Sequence, residues 1–138
     1  MGSAHCQPLK LKIASRGDKL AGVRSHVGEI AEACGFSKQS VYDIKVAVGE
    51  AVANAVEHGS PKGEINNVVI DFKCDKTDLT ITVVDEGIFK RTIPGPSDMD
   101  NYRGHGILIM LALMDKVTIN ESAHGTSVLL AKCYRTDN

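Results

Sequence analysis

Glu50 and Asn54 stand four residues apart in the stretch Glu50–Ala51–Val52–Ala53–Asn54–Ala55–Val56–Glu57–His58. On a helix their side chains project together. A side-chain amide oxygen is a hard ligand suited to Mg²⁺, an ion that keeps several waters and binds phosphates. A carboxylate beside it can accept a proton. Asparagine is a poor helix former in mid-helix, and the small residues Gly49, Ala51, Ala53 and Ala55 let another element approach the pair. Further along stands Asp85–Glu86–Gly87. A carboxylate there can accept a hydrogen bond from the exocyclic amine of adenine, and Gly87 lets backbone come close to a ring. Gly104–His105–Gly106 leads into an apolar helix, where backbone N–H groups can face an anion. Arg103 beside it reaches a phosphate or is simply solvated. Gly125–Thr126 supplies a closing hydroxyl. Each piece also has a plain structural reading: a solvated helix face, a strand-end turn, a glycine at a helix start, a β-branched strand residue. His58 suits a phosphate contact or a structural histidine at a helix C-terminus. The order of all four pieces is what points to a nucleotide site.

The elements that must position these residues follow from periodicity. Leu9, Leu11 and Ile13 alternate with Lys10 and Lys12, the pattern of a half-buried strand. Leu20, Val23, Val27, Ile30, Ala31 and Cys34 recur at helical spacing, with Gly35 just past the end. Ser37 caps a second helix that runs to His58 and stops at Gly59–Ser60–Pro61. On a wheel, Val41, Ile44, Val48, Val52 and Ala55 share one face, with Asp43, Glu50, Asn54 and Glu57 opposite. Val68 to Cys74 and Leu79 to Val83 alternate as a hairpin around Asp75–Lys76–Thr77–Asp78. Residues 87–104 read as irregular around Pro94–Gly95–Pro96. A short apolar helix covers Ile107 to Met114. Val117 and Ile119 begin a strand, and Ala123–His124–Gly125 turns into a last one, Thr126 to Cys133. Strand pairs joined by short turns favour an antiparallel or mixed sheet with helices on one face.

The chain has 138 residues, 43% hydrophobic and 24% charged, with a net charge of −1. That composition implies one globular domain with a real core. The charge gives no case for direct nucleic-acid or anionic-membrane binding, and no apolar run approaches the ~20 residues that span a bilayer. The start lacks a secretory apolar core, and residues 1–7 are expected to be disordered or tag-derived. Cys6, Cys34, Cys74 and Cys133 are scattered, which indicates neither a zinc site nor a disulfide framework. A reducing cytoplasm is the simplest compartment.

Glu50 to Gly59 reads Glu-Ala-x-x-Asn-Ala-x-x-His-Gly. It resembles the N box of the GHKL ATPases: gyrase, MutL, the heat-shock chaperones and sensor histidine kinases. In form it is most similar to that of the bacterial anti-sigma-factor serine kinases of partner-switching circuits. The resemblance covers nearly the whole chain. It implies a single α+β domain over residues 1–138, a two-layer sandwich of the Bergerat ATP-binding type, with a mixed, mostly antiparallel sheet and helices on one face. It implies that Asn54 binds Mg²⁺ bridging the ATP phosphates and that Glu50 is the general base for a serine hydroxyl. Asp85 becomes the adenine reader and Gly87 its loop glycine. Arg103, Gly104, His105, Gly106 and Ile107 line the nucleotide, and the hydroxyl of Thr126 supports Asp85 through a water. Residues 88–103, with Lys90 and Arg91, form a lid. The implied partners are a sigma factor, an anti-sigma-factor antagonist and a second copy of the chain. No phosphoacceptor helix precedes the domain, which disfavours a full sensor histidine kinase. In one place the chain departs from the pattern: Phe89 replaces the second glycine of the first glycine box, which favours a non-catalytic nucleotide-binding module as the alternative.

Overall fold

The computed structural model describes residues 9–58, 66–85, 102–122 and 125–134. The elements run β1 (Leu9–Ala14), a 3-10 turn (Gly17–Lys19), α1 (Leu20–Ala33), α2 (Lys38–His58), β2 (Asn67–Cys74), β3 (Asp78–Val84), α3 (Tyr102–Leu113), β4 (Lys116–Ser122) and β5 (Gly125–Cys133). The strands form one sheet in the order β1-β2-β3-β5-β4. Every pairing is antiparallel, as an antiparallel or mostly antiparallel sheet with helices on one face leads one to expect. The physical reason lies in the connections: β2–β3 and β4–β5 are hairpins, and the α3 passage brings β4 and β5 back so that β5 runs against β3.

Register stacks the alternating apolar residues on one face. Leu11 faces Ile70, Ile70 faces Val83, and Val83 faces Val128. Ile70, Ile81, Val83 and Leu130 are essentially inaccessible to solvent. Over them lies α2, whose Ile44, Val48 and Val52 are equally buried. α1 adds Val23, Val27 and Ala31, and α3 adds Ile107 and Met110. Burial of each large aliphatic side chain contributes roughly 1.5–3 kcal/mol, so this shared face is what holds the two layers together.

Local signals set the joints. Cys34 caps α1, and Gly35 follows at φ +93°, the left-handed angle that glycine supplies without strain. Ser37 Oγ accepts the N–H of Ser40 at 3.1 Å, the bond expected of an N-cap. In the β2–β3 turn the Asp75 carboxylate accepts the N–H groups of Asp78 at 2.8 Å and Thr77 at 2.9 Å. Those two bonds, Asp78's the larger, hold this exposed carboxyl below its ordinary value. The 3-10 turn at Gly17–Lys19 has no apolar period to announce it.

Helix α3 begins at Tyr102, five residues before its first apolar residue. Gly104–His105–Gly106 therefore lies within the helix's first turns instead of ahead of it. Two glycines and no apolar spacing hide this start from a periodicity reading.

Candidate functional site

Asn54 is 6% exposed, although the helical wheel places it opposite the core face of α2. The cover comes from α3. A Cβ built on Gly106 would lie 2.8 Å from Glu50 Oε1, and 3.5 Å and 3.8 Å from Asn54 Nδ2 and Oδ1. Glycine at 106 is thus what lets the α3 backbone close on this pair. Among the described residues neither Glu50 nor Asn54 has a hydrogen-bond or ion-pair partner for its side chain. A buried polar group left without a partner costs about 1–3 kcal/mol. An amide buried at that cost fits a ligand-binding role.

The next pair of expected site residues sits at the adjoining ends of β3 and β5. Asp85 follows β3 and is 3% exposed. Its N–H donates to the Thr126 carbonyl at 2.9 Å, and the Thr126 N–H donates to Asp85 Oδ1 at 3.2 Å. Thr126 is itself 2% exposed. The backbone of Thr126 therefore fixes the Asp85 carboxylate. Gly125 just before it takes φ +146°, which turns the chain into β5.

The N-terminal part of α3 meets the Glu50–Asn54 pair through Gly106. The first four N–H groups of a helix lack intrahelical acceptors, and here they belong to Tyr102, Arg103, Gly104 and His105. Gly106 and Ile107 are buried one turn deeper. The side chains of Arg103, His105 and His58 lie outside the described residues, as do Gly87, Phe89, Lys90 and Arg91.

The donor set fits Mg²⁺ held mainly by phosphates. Among the described residues no group of three or more His, Cys, Asp or Glu side chains could hold an ion, and Mg²⁺ commonly takes only one or two protein ligands beside substrate phosphates. The Asn54 amide is the group of this site with the right chemistry.

Arg24 on α1 is a neighbour that the sequence alone does not single out. Its Nε lies 2.6 Å and its nearer amino nitrogen 3.1 Å from where a Cβ on Gly49 would sit. Its guanidinium therefore covers Gly49, the residue before Glu50. The available signal is the glycine itself, since glycine in a helix interior costs about 1 kcal/mol relative to alanine.

The chain resembles known proteins along most of its length. The chain is 29% identical over 135 residues to the serine-protein kinase RsbW of Oceanobacillus iheyensis, covering 90% of this chain and 85% of that protein. It is 28% identical over 138 residues to the RsbW of Bacillus cereus, with 91% and 84% covered. Among solved structures it superposes on the RsbU and RsbW domains of Rv1364c from Mycobacterium tuberculosis with a TM-score of 0.71 at 23% identity. That match covers 91% of this chain but spans only 32% of the longer one. A histidine kinase domain from Erythrobacter litoralis gives 0.57 at 21% identity, with 91% and 63% covered. These two likenesses concern the fold. The histidine kinase-like ATPase domain model matches residues 13–132, a span that takes in the Glu50–Asn54 pair, the Asp85–Thr126 link and helix α3. By that match the chain belongs to the histidine kinase-like ATPases.

Proposed function

We propose that this protein is an ATP-dependent protein-serine/threonine kinase and anti-sigma factor. In this reading it phosphorylates an anti-sigma-factor antagonist and otherwise holds a sigma factor, working as a cytoplasmic homodimer. The observation that carries the reading is the unpartnered Glu50–Asn54 pair closed against Gly106. The RsbW relatives, named serine-protein kinases, support it.

The chemistry asked of these residues is modest, because phosphoryl transfer needs mainly positioning and charge neutralisation. The Asn54 amide would hold Mg²⁺, which when bound neutralises phosphate charge. The first-turn N–H groups of α3 face the phosphates. Asp85, fixed by Thr126, reads the adenine amine. Glu50 accepts the proton of the attacking hydroxyl as its oxygen bonds to the γ-phosphorus and ADP departs. Phe89 in the first glycine box favours a second reading, in which nucleotide only selects the partner held.

Thermal denaturation with and without Mg²⁺-ATP tests nucleotide binding. Nucleotide at 100 times its dissociation constant adds about 2.7 kcal/mol, which for a domain of this size raises Tm by about 5–10 °C. No shift at millimolar nucleotide would remove both readings.

Gly106→Ala separates them. Alanine favours a helix interior by about 1 kcal/mol, and the atom it meets is the end of a flexible side chain. The variant is expected to melt no lower than the parent. Its new methyl displaces the Glu50 carboxylate, and a misplacement of that order costs about 10²-fold in turnover. Kinase turnover and Tm measured on the same variant decide this: unchanged turnover would detach the close α2–α3 approach from catalysis.

A further inference from the structure

The peptide unit between Gly125 and Thr126 is held at both ends. Its N–H, carried by Thr126, donates to Asp85 Oδ1 at 3.2 Å. Its C=O, carried by Gly125, accepts the Ser122 hydroxyl at 3.1 Å. A peptide unit is planar, so a bond that fixes the carbonyl also fixes where the N–H points. Such a hold matters at this place. Gly125 stands at φ +146°, and a glycine puts few steric barriers against swinging the unit about its flanking bonds. Ser122 and Gly125 lie directly opposite each other in the β4–β5 register, which brings the last side chain of β4 to the first carbonyl of β5. A donor on that carbonyl also polarises the amide and strengthens the bond its N–H makes. Ser122 is exposed, whereas Asp85 and Thr126 are buried. A surface hydroxyl thus reaches a buried carboxylate through one peptide unit.

We propose that Ser122 is a positioning residue for nucleotide selectivity: by holding the Gly125–Thr126 peptide unit, its hydroxyl keeps the Asp85 carboxylate turned to accept the adenine amine. The inference rests on the function proposed above, in which Asp85 reads the base. Without the hydroxyl, the Gly125 carbonyl turns to water and the unit swings. The Thr126 N–H then leaves Oδ1, and the carboxylate gains rotamers. The effect on binding has a definite sign. ATP loses affinity, because its amine meets a carboxylate that no longer stands in place. GTP does not lose affinity with it, because its carbonyl at that position makes no bond to Asp85. Ser122→Thr keeps the hydroxyl and suits a strand position.

The test is ATP and GTP affinity by calorimetry, with Tm, on the full chain and its Ser122→Ala and Ser122→Thr variants. A preference of the parent for ATP, lost in Asp85→Asn, tests the reading of Asp85 itself, and its absence would remove that reading and this inference together. Beside that preference, Ser122→Ala is expected to bind ATP about 2- to 10-fold more weakly, the worth of one net hydrogen bond, with GTP unchanged. The Thr126 amide hydrogen should also exchange with solvent faster. Ser122→Thr should restore both. Adding Ser122→Ala to Asp85→Asn should cost no further ATP affinity, because effects that pass through one group do not add. A purely structural Ser122 would lower Tm and weaken both nucleotides alike. Parent selectivity in Ser122→Ala, or an equal loss for ATP and GTP, would overturn the proposal while leaving Asp85 as the base reader.

Discussion

Replacing Glu50 by alanine is expected to lower phosphotransfer to a protein hydroxyl by about 10²–10⁴-fold, the usual contribution of a positioned base, while ATP affinity stays nearly unchanged. The split follows from where the side chain stands. Its carboxylate meets Gly106 and, among the described residues, makes no hydrogen bond or ion pair, so its loss leaves no buried group orphaned and Tm should hold. A base acts on the nucleophile and not on the nucleotide. Asn54→Ala should differ, weakening the Mg²⁺-dependent part of binding as well. Single-turnover phosphotransfer beside ATP calorimetry on the same variants checks this. Full activity in Glu50→Ala would make Glu50 a surface residue and reject the base assignment.

The second large effect is expected at Asp85. Asp85→Asn retains an oxygen for the Thr126 N–H, so the β3–β5 link at 3.2 Å can survive. What changes is the group turned toward the base: an amide nitrogen donates where the adenine amine also donates. An unmatched buried contact costs about 1–3 kcal/mol, a loss of roughly 5- to 150-fold in ATP affinity. The same logic makes the parent protein reject GTP, whose carbonyl at that position would face a second acceptor. Competition of GTP against ATP gives the readout, and equal binding of the two would contradict the role of Asp85.

Most of the architecture was legible in the chain because its local signals agree with its global pattern. Leu9, Leu11 and Ile13 alternate and lie in β1, Ser37 caps α2 through Ser40, and Gly35 takes the left-handed angle past α1. The helix α3 was less legible. Leu108 and Ile109 are only partly covered and Leu111 is 49% exposed, so an apolar residue there does not mark a buried face. At the site, the pairing of Glu50 with Asn54 follows from helical spacing alone. The burial of Asn54 does not, because it depends on Gly106, more than fifty residues later. The spatial meeting of Asp85 with Thr126 likewise needs the β3–β5 register, which no local signal encodes.

Two bonds at the far end of α3 have a consequence for the dimensions of the site. Lys132 Nζ donates to the Leu113 carbonyl at 2.8 Å, and the Asp115 N–H donates to the Ala131 carbonyl at 2.9 Å. Strand β5 therefore anchors the tail of the helix at one end and Asp85 at the other. The six steps along the strand from Thr126 to Lys132 span about 20 Å, and the twelve residues of α3 rise about 18 Å. The near equality makes β5 a gauge. In the function proposed above, Asp85 is the base end of the site and the first turn of α3 its phosphate end, and β5 ties the partner of the one to the tail of the other. One residue added to β5 would both lengthen the gauge and turn Lys132 to the opposite face of the sheet.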